Sequence, residues 1–315
     1  MSGFGASEAT SAGAVAALWL GFGYAAWLDW RTREVPDGVW IALGVAGLLL
    51  GFASLLLAPA ASVPSAGWLG PMLWLIVGAL VLEHLVPWDE ALARRYPALP
   101  GWLELGFYLA VGALVFGTGV AYGFGDAGTP LVVVAAYLSV IFARALFEVR
   151  LLYGGADAKA LMVAGLVVPI YAHPWVGPPG GTGILLSLYP FAVTLLMNAA
   201  VVSAAVPVAL AVRNLRRGEF EFPRGFVSYR IDVRELPDRF VWLKDPTFSS
   251  DEPDEEIETT EEDRRWRERQ RDELVRQGVH RVWVTPQLPF VIFLAIGAVT
   301  AVVVGNIVFD VFSLL

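Results

Sequence analysis

The sequence predicts an all-α polytopic membrane protein, with about eight transmembrane helices and one hydrophilic insert, and three observations carry that expectation. Mean hydropathy is +0.61 and 57% of the 315 residues are hydrophobic, above the roughly 45–50% of an ordinary soluble domain. Eight apolar runs approach the roughly 20 residues that a helix needs to cross a hydrocarbon core. Charged residues are only 17% of the chain, yet the formal net charge is −8, so the charge must be concentrated in a few water-facing segments. That balance argues against a nucleic-acid-binding surface. The absence of cysteine excludes disulfides, thiolate metal sites and thiol nucleophiles, leaving carboxylates, hydroxyls and three histidines to do any chemistry.

The runs cover approximately residues 11 to 28, 39 to 59, 67 to 86, 102 to 122, 130 to 149, 158 to 176, 183 to 212 and 286 to 309. No Lys or Arg precedes the first, and Asp29, Arg31 and Arg33 follow it at once, so it is expected to be retained rather than cleaved as a signal peptide. Arginine and lysine fall in one alternate set of connections. Arg31 and Arg33 follow the first run, Arg94 and Arg95 the third, Arg144, Arg150 and Lys159 surround the end of the fifth, and Arg213, Arg216 and Arg217 follow the seventh. The N-terminal tail and residues 60 to 66, 123 to 129 and 177 to 182 have none. By the positive-inside rule the first set is cytoplasmic and both termini lie outside.

Residues 213 to 284 form an expected cytoplasmic insert between the membrane domain, 1 to 212, and a last transmembrane helix in 285 to 315. The stretch Phe226 to Arg234 alternates as short strands do, and Pro237 and Pro246 punctuate it. An acidic low-complexity stretch from Ser249 to Asp263 suits solvent. Residues 261 to 277 read as a charged helix, acids leading and arginines following, the order that the helix dipole favours.

Two carboxylates stand out because charge near a membrane-spanning helix is costly. Asp29 closes the first run in Asp29-Trp30-Arg31-Thr32-Arg33-Glu34-Val35-Pro36, where Pro36 breaks the chain before the second. Its bland reading is an interfacial carboxylate paired with Arg31 or Arg33. Asp157 stands in Gly154-Gly155-Ala156-Asp157-Ala158-Lys159, just before the sixth run. There the glycines permit positive φ and close approach, and the bland reading is an N-capping Asp supported by Lys159. Following the crossings, both fall on the cytoplasmic face. Two carboxylates on separate helices at one depth can share a proton and activate a water between them, and such a pair needs neither metal nor cofactor.

These two motifs resemble the signatures of the type IV prepilin peptidases, polytopic membrane aspartic proteases. Ala156 stands where the stricter form of the second motif has glycine. The segment Trp283 to Phe290 is similar to the stretch that opens the last helix in the archaeal prepilin and preflagellin peptidases. The resemblance covers about residues 11 to 212 and 283 to 309; the insert departs from the minimal pattern. With no cysteine, and so no Cys-x-x-Cys zinc domain, it is to the archaeal, peptidase-only branch. It implies a multi-pass cell-membrane endopeptidase without a cofactor, with Asp29 and Asp157 catalytic and Gly154, Gly155, Lys159 and Pro36 supporting them. The implied partners are prepilin-like or preflagellin-like precursors, cut on the cytoplasmic side between basic leader and apolar segment.

Other polar residues are weaker candidates. Gly123-Phe124-Gly125-Asp126 matches a Gly-x-Gly-Asp pattern more literally, but the charge-derived topology places it outside, as a turn. Glu83 and His84 suit the interface better than a site, and His84, His173 and His280 are too scattered for a metal. Two further readings compete: a proton- or cation-coupled transporter using intramembrane carboxylates, and an inactive scaffold that binds pilin helices. The position of both aspartates at helix ends on one face, and the lack of an evident inverted repeat, weigh against the transporter.

Overall fold

The computed structural model describes residues 6–57, 69–85, 101–122, 129–152, 154–170, 189–243 and 260–313. The chain divides into two compact units, Met1–Val202 with Phe290–Leu315, and Ser203–Pro289.

The first unit is helical throughout its described residues: α1 (Ala6–Thr32), α2 (Asp37–Leu57), α3 (Leu69–Leu85), α4 (Gly101–Tyr122), α5 (Thr129–Glu148), α6 (Gly155–Val167), α7 (Phe191–Ser203), then α10 (Phe290–Val303) and α11 (Ile307–Ser313). Short α6 is its centre and packs on α1, α2, α3, α5 and α10. Its sequence explains the position. Ala160, Leu161, Met162, Val163, Ala164, Gly165, Leu166 and Val167 are all buried, and a helix that is apolar on every side belongs inside a bundle. Small residues bring its neighbours close. A methyl group on Gly47 of α2 would lie 3.1 Å from the Val167 backbone, and one on Gly165 would overlap Ser139 of α5. Likewise Gly297 of α10 leaves room for the Leu195 carbonyl of α7. Close backbone approach at small residues is how helices pack where the surrounding solvent is itself apolar.

Four helical segments are long and apolar enough to cross a bilayer by length and composition: Thr10–Thr32, Asp37–Leu56, Leu131–Glu148 and Phe191–Arg216. Three shorter apolar helices, Leu69–Leu85, Leu105–Ala121 and Phe290–Val303, fall within the expected third, fourth and eighth runs. The expected sixth run is helical only over α6, and residues 171 to 176 lie outside the described ones. Among the described residues, four segments therefore meet this measure, and the eight expected crossings are not confirmed.

The second unit corrects the all-α expectation. It contains α8 (Ala205–Arg216), β1 (Tyr229–Asp232), β2 (Val241–Leu243), α9 (Thr260–Arg276) and β3 (Arg281–Pro286). The strands form one antiparallel sheet in the order β1-β3-β2, with Tyr229 opposite Val284 and Asp232 opposite Arg281 on one edge, and Val241 opposite Pro286 on the other. Ile231, Val233, Leu236, Val241, Val282 and Val284 make its core, and α9 adds Leu274. β1 falls within the stretch whose alternation predicts strands. β3 does not, because its apolar residues run into the last apolar segment and read as a helix start. The β-branched Val282, Val284 and Thr285 favour a strand, and Pro286 and Pro289 hold off the helix until Phe290.

Candidate active site

Asp29 lies three residues before the end of α1 and is 9% exposed. The end of α1 is built on the same residue, because the Arg33 N–H returns to the Asp29 carbonyl at 3.1 Å and Arg33 takes φ 61. This is the single-bond left-handed helix stop that glycine more often provides. Arg31 and Arg33 spread back over aromatic rings, their guanidinium carbons 4.6 Å from the Trp27 ring centre and 5.8 Å from that of Trp30. Arg33 also acts on Asp29 through space. The Asp29 carboxylate accepts a hydrogen bond from the backbone N–H of Val291 in the first turn of α10. That N–H is one of the first four of a helix, which have no partner within the helix itself. The N-terminus of α10 thus reaches the end of α1.

The second motif begins at another left-handed stop. The Leu151 N–H donates to Leu146 O at 2.9 Å and the Arg150 N–H to Phe147 O at 3.0 Å, with Arg150 at φ 58, which closes α5 as a Schellman motif. Two residues on, Gly154 is the N-cap of α6 with φ −86 and ψ 124 and no side-chain cap. Asp157 is therefore not the N-cap of the bland reading; it occupies the first turn. The glycine conformation also differs from the expectation, since neither Gly154 nor Gly155 has positive φ. What Gly154 supplies is space. A Cβ there would stand 2.7 Å from the Asp157 Oδ2, whereas nothing lies within 4 Å of one on Gly155.

α6 packs on α1, and at their contact the half-buried Asp157 feels the charge of Asp29 directly. The bundle thus brings together two carboxylates 128 positions apart in sequence. Lys159 serves differently from the expectation that it supports Asp157: its ammonium forms an ion pair with Asp37, the first residue of α2 after Pro36. Both side chains are about a quarter exposed, and the pair ties the two motifs together across α2 and α6.

Sequence reasoning missed the Asp37 carboxylate and the Val291 N–H. Asp37 follows Pro36 at a helix start, where an acid reads as a local dipole partner. For Val291 a signal existed, because the proline-punctuated stretch ending at Phe290 marks a helix N-terminus, but its target lies at the other end of the chain.

Glu83 and His84 belong to a polar cluster joining α3, α4 and α5. Tyr108 and Arg144 both reach the His84 Nε2, Arg144 Nη1 donates to the Tyr108 hydroxyl at 3.0 Å, and Arg144 pairs with Glu148 at 3.6 Å. Asp126 and His173 lie outside the described residues. Among the described residues, no three or more His, Asp or Glu gather as a metal site would require.

Residues 222–307 match the family model described as Archaeal Peptidase A24 C-terminus Type II. The matched stretch contains Val291, which holds Asp29, but neither aspartate. No curated protein matches the chain. The match, over this C-terminal stretch alone, supports a likeness to the archaeal prepilin and preflagellin peptidase family.

Proposed function

We propose that this protein is a membrane aspartic endopeptidase that removes the basic leader of prepilin-like or preflagellin-like precursors at the cytoplasmic side of the membrane, with Asp29 and Asp157 as its catalytic pair. The observation that carries the reading is the electrostatic contact between these two carboxylates, on separate helices, in a chain whose C-terminal region matches a peptidase family. Two carboxylates that act on each other's charge ionise together only at a cost, so in this scheme the pair keeps one proton. The ionised member takes a proton from a water seated between them, and the protonated member donates to the scissile carbonyl oxygen as the water attacks. Nothing in this sequence of proton transfers calls for a metal or a cofactor.

Gly154 and the Val291 N–H are positioning elements in this scheme. The first leaves the space that the Asp157 carboxylate occupies, and the second holds Asp29 against rotation. The acidic insert would attract basic leaders at low ionic strength, an attraction that salt weakens. The test is cleavage of an epitope-tagged precursor by the purified full-length protein, read as a mobility shift and by sequencing of the new N-terminus. Loss of the shift in both Asp29→Asn and Asp157→Asn, with helical content unchanged, is the expected result. Wild-type processing by either variant would remove the pair from the mechanism.

A further inference from the structure

We propose that the loop from Arg216 to Val227, directly after the apolar span Phe191–Arg216, is a membrane-surface anchor: its aromatic side chains enter the headgroup region and its arginines engage anionic phospholipid. Phe222 is 83% exposed, more than any other large apolar side chain among the described residues, and Leu215, Phe226 and Val227 beside it are also exposed. These rings are organised. Phe226 stands edge-to-face with Phe220 at 5.3 Å and with Phe222 at 6.3 Å between ring centres. The backbone beneath them is held as well, because the buried Asn214 side chain donates to the carbonyls of Gly225 and Ser228, each at 2.8 Å. A fixed apolar knob turned outward marks a contact surface, since exposure to water alone has nothing to maintain it.

The charges identify the partner. From residue 213 to 227 the chain has four arginines, Arg213, Arg216, Arg217 and Arg224, and two glutamates. Both glutamates are already occupied: Glu219 pairs with Arg281, and Glu221 with Arg230 at 2.9 Å. Arg216 and Arg217 are exposed as well, in the same loop a few residues before Phe222. Aromatic rings with arginines at the end of an apolar helix fit a bilayer edge, where the rings sit at headgroup level and the cations meet lipid phosphate. A basic leader peptide, the other partner in the proposed chemistry, would be repelled by the same surface.

The chain has no cysteine, so Phe222→Cys gives a single labelling site at an exposed position. Full-length protein with an environment-sensitive fluorophore at 222 is reconstituted in lipid nanodiscs of phosphatidylcholine, with or without phosphatidylglycerol. In the anionic discs the label is expected to be quenched by spin-labelled lipid and protected from iodide. Arg216→Gln with Arg217→Gln is expected to reduce lipid quenching by at least about twofold. A label at 222 that iodide quenches freely and lipid does not, in discs of both kinds, would overturn the proposal. Self-quenching that depends on protein concentration would assign the surface to a second copy instead, and would overturn it too. Val227→Cys, at a second exposed position of the loop, repeats the measurement if the label at 222 disturbs folding.

Discussion

At the scale of single residues the proposed site rests on two carboxylates and on the atoms next to them. Asp29→Asn or Asp157→Asn is expected to lower the cleavage rate by on the order of 10³-fold or more, since a shared-proton pair fails when either member is lost. A mobility-shift time course reads that directly. Glycine gives a sharper contrast. Gly154→Ala puts a methyl group 2.7 Å from the Asp157 Oδ2, and because that oxygen ends a flexible side chain, the carboxylate moves rather than the helix. The cost should appear as a fall in kcat of up to about 100-fold, the scale of an ångström-sized misplacement, with the melting temperature nearly unchanged. Gly155→Ala, with open space around the new methyl group, should retain wild-type kcat. Equal loss in both variants would mean that the Gly-Gly pair is needed for its conformation and not for space. Both glycines are legible in sequence as a flexible turn, but their different roles are not, since they depend on where the Asp157 side chain folds.

At the scale of elements, helix ends do the positioning. Asp29 takes its hydrogen bond from the first turn of α10, and proline is tolerated in that turn while lacking the N–H. Val291→Pro should therefore leave the bundle folded and lower kcat by roughly 10- to 100-fold, the kinetic equivalent of losing one hydrogen bond to a charged group. The check is a kcat measurement beside a circular dichroism melt, and an unchanged kcat would show that Asp29 is held by other means. The ion pair between Lys159 and Asp37 is a separate matter of stability. Because both side chains are about a quarter exposed, breaking it with Lys159→Met should cost about 1 kcal/mol, near the upper end for solvent-screened pairs. The exchanged pair, Asp37→Lys with Lys159→Asp, should recover part of that loss in a denaturant melt.

At the scale of the whole molecule, connectivity and topology decide which aspartate can take part. A literal motif match selects Asp126, but the topology expected from the alternation of positive loops would put it across a bilayer core of about 30 Å from Asp29. Asp126→Asn is therefore expected to process substrate at a near wild-type rate, and a label at 126 to react with an impermeant reagent from the outer face. A folded but inactive Asp126→Asn would remove both the topology and the choice of Asp157. The acid–base scheme also expects full activity in EDTA, measured in the same cleavage assay, and strong inhibition would require a metal in the mechanism.

The sequence by itself determined the membrane character, the positions of most helices, the charged helix after the acidic stretch, and both aspartate motifs. Each of these follows from composition or from spacing within a few turns of chain: runs of apolar residues, prolines that stop helices, and carboxylates placed at costly sites. Only the tertiary structure decided that α6 is the centre of its unit, that Lys159 pairs with Asp37, and that the N-terminus of α10 holds Asp29. It also decided that Arg281–Pro286 is a strand, through pairing with Tyr229–Asp232 and Val241–Leu243. The physical reason is shared by all four. Each contact joins segments tens to hundreds of residues apart, where local pattern is silent, and what selects it is burial of α6, the unmet N–H groups of a helix start and the unpaired edges of a strand.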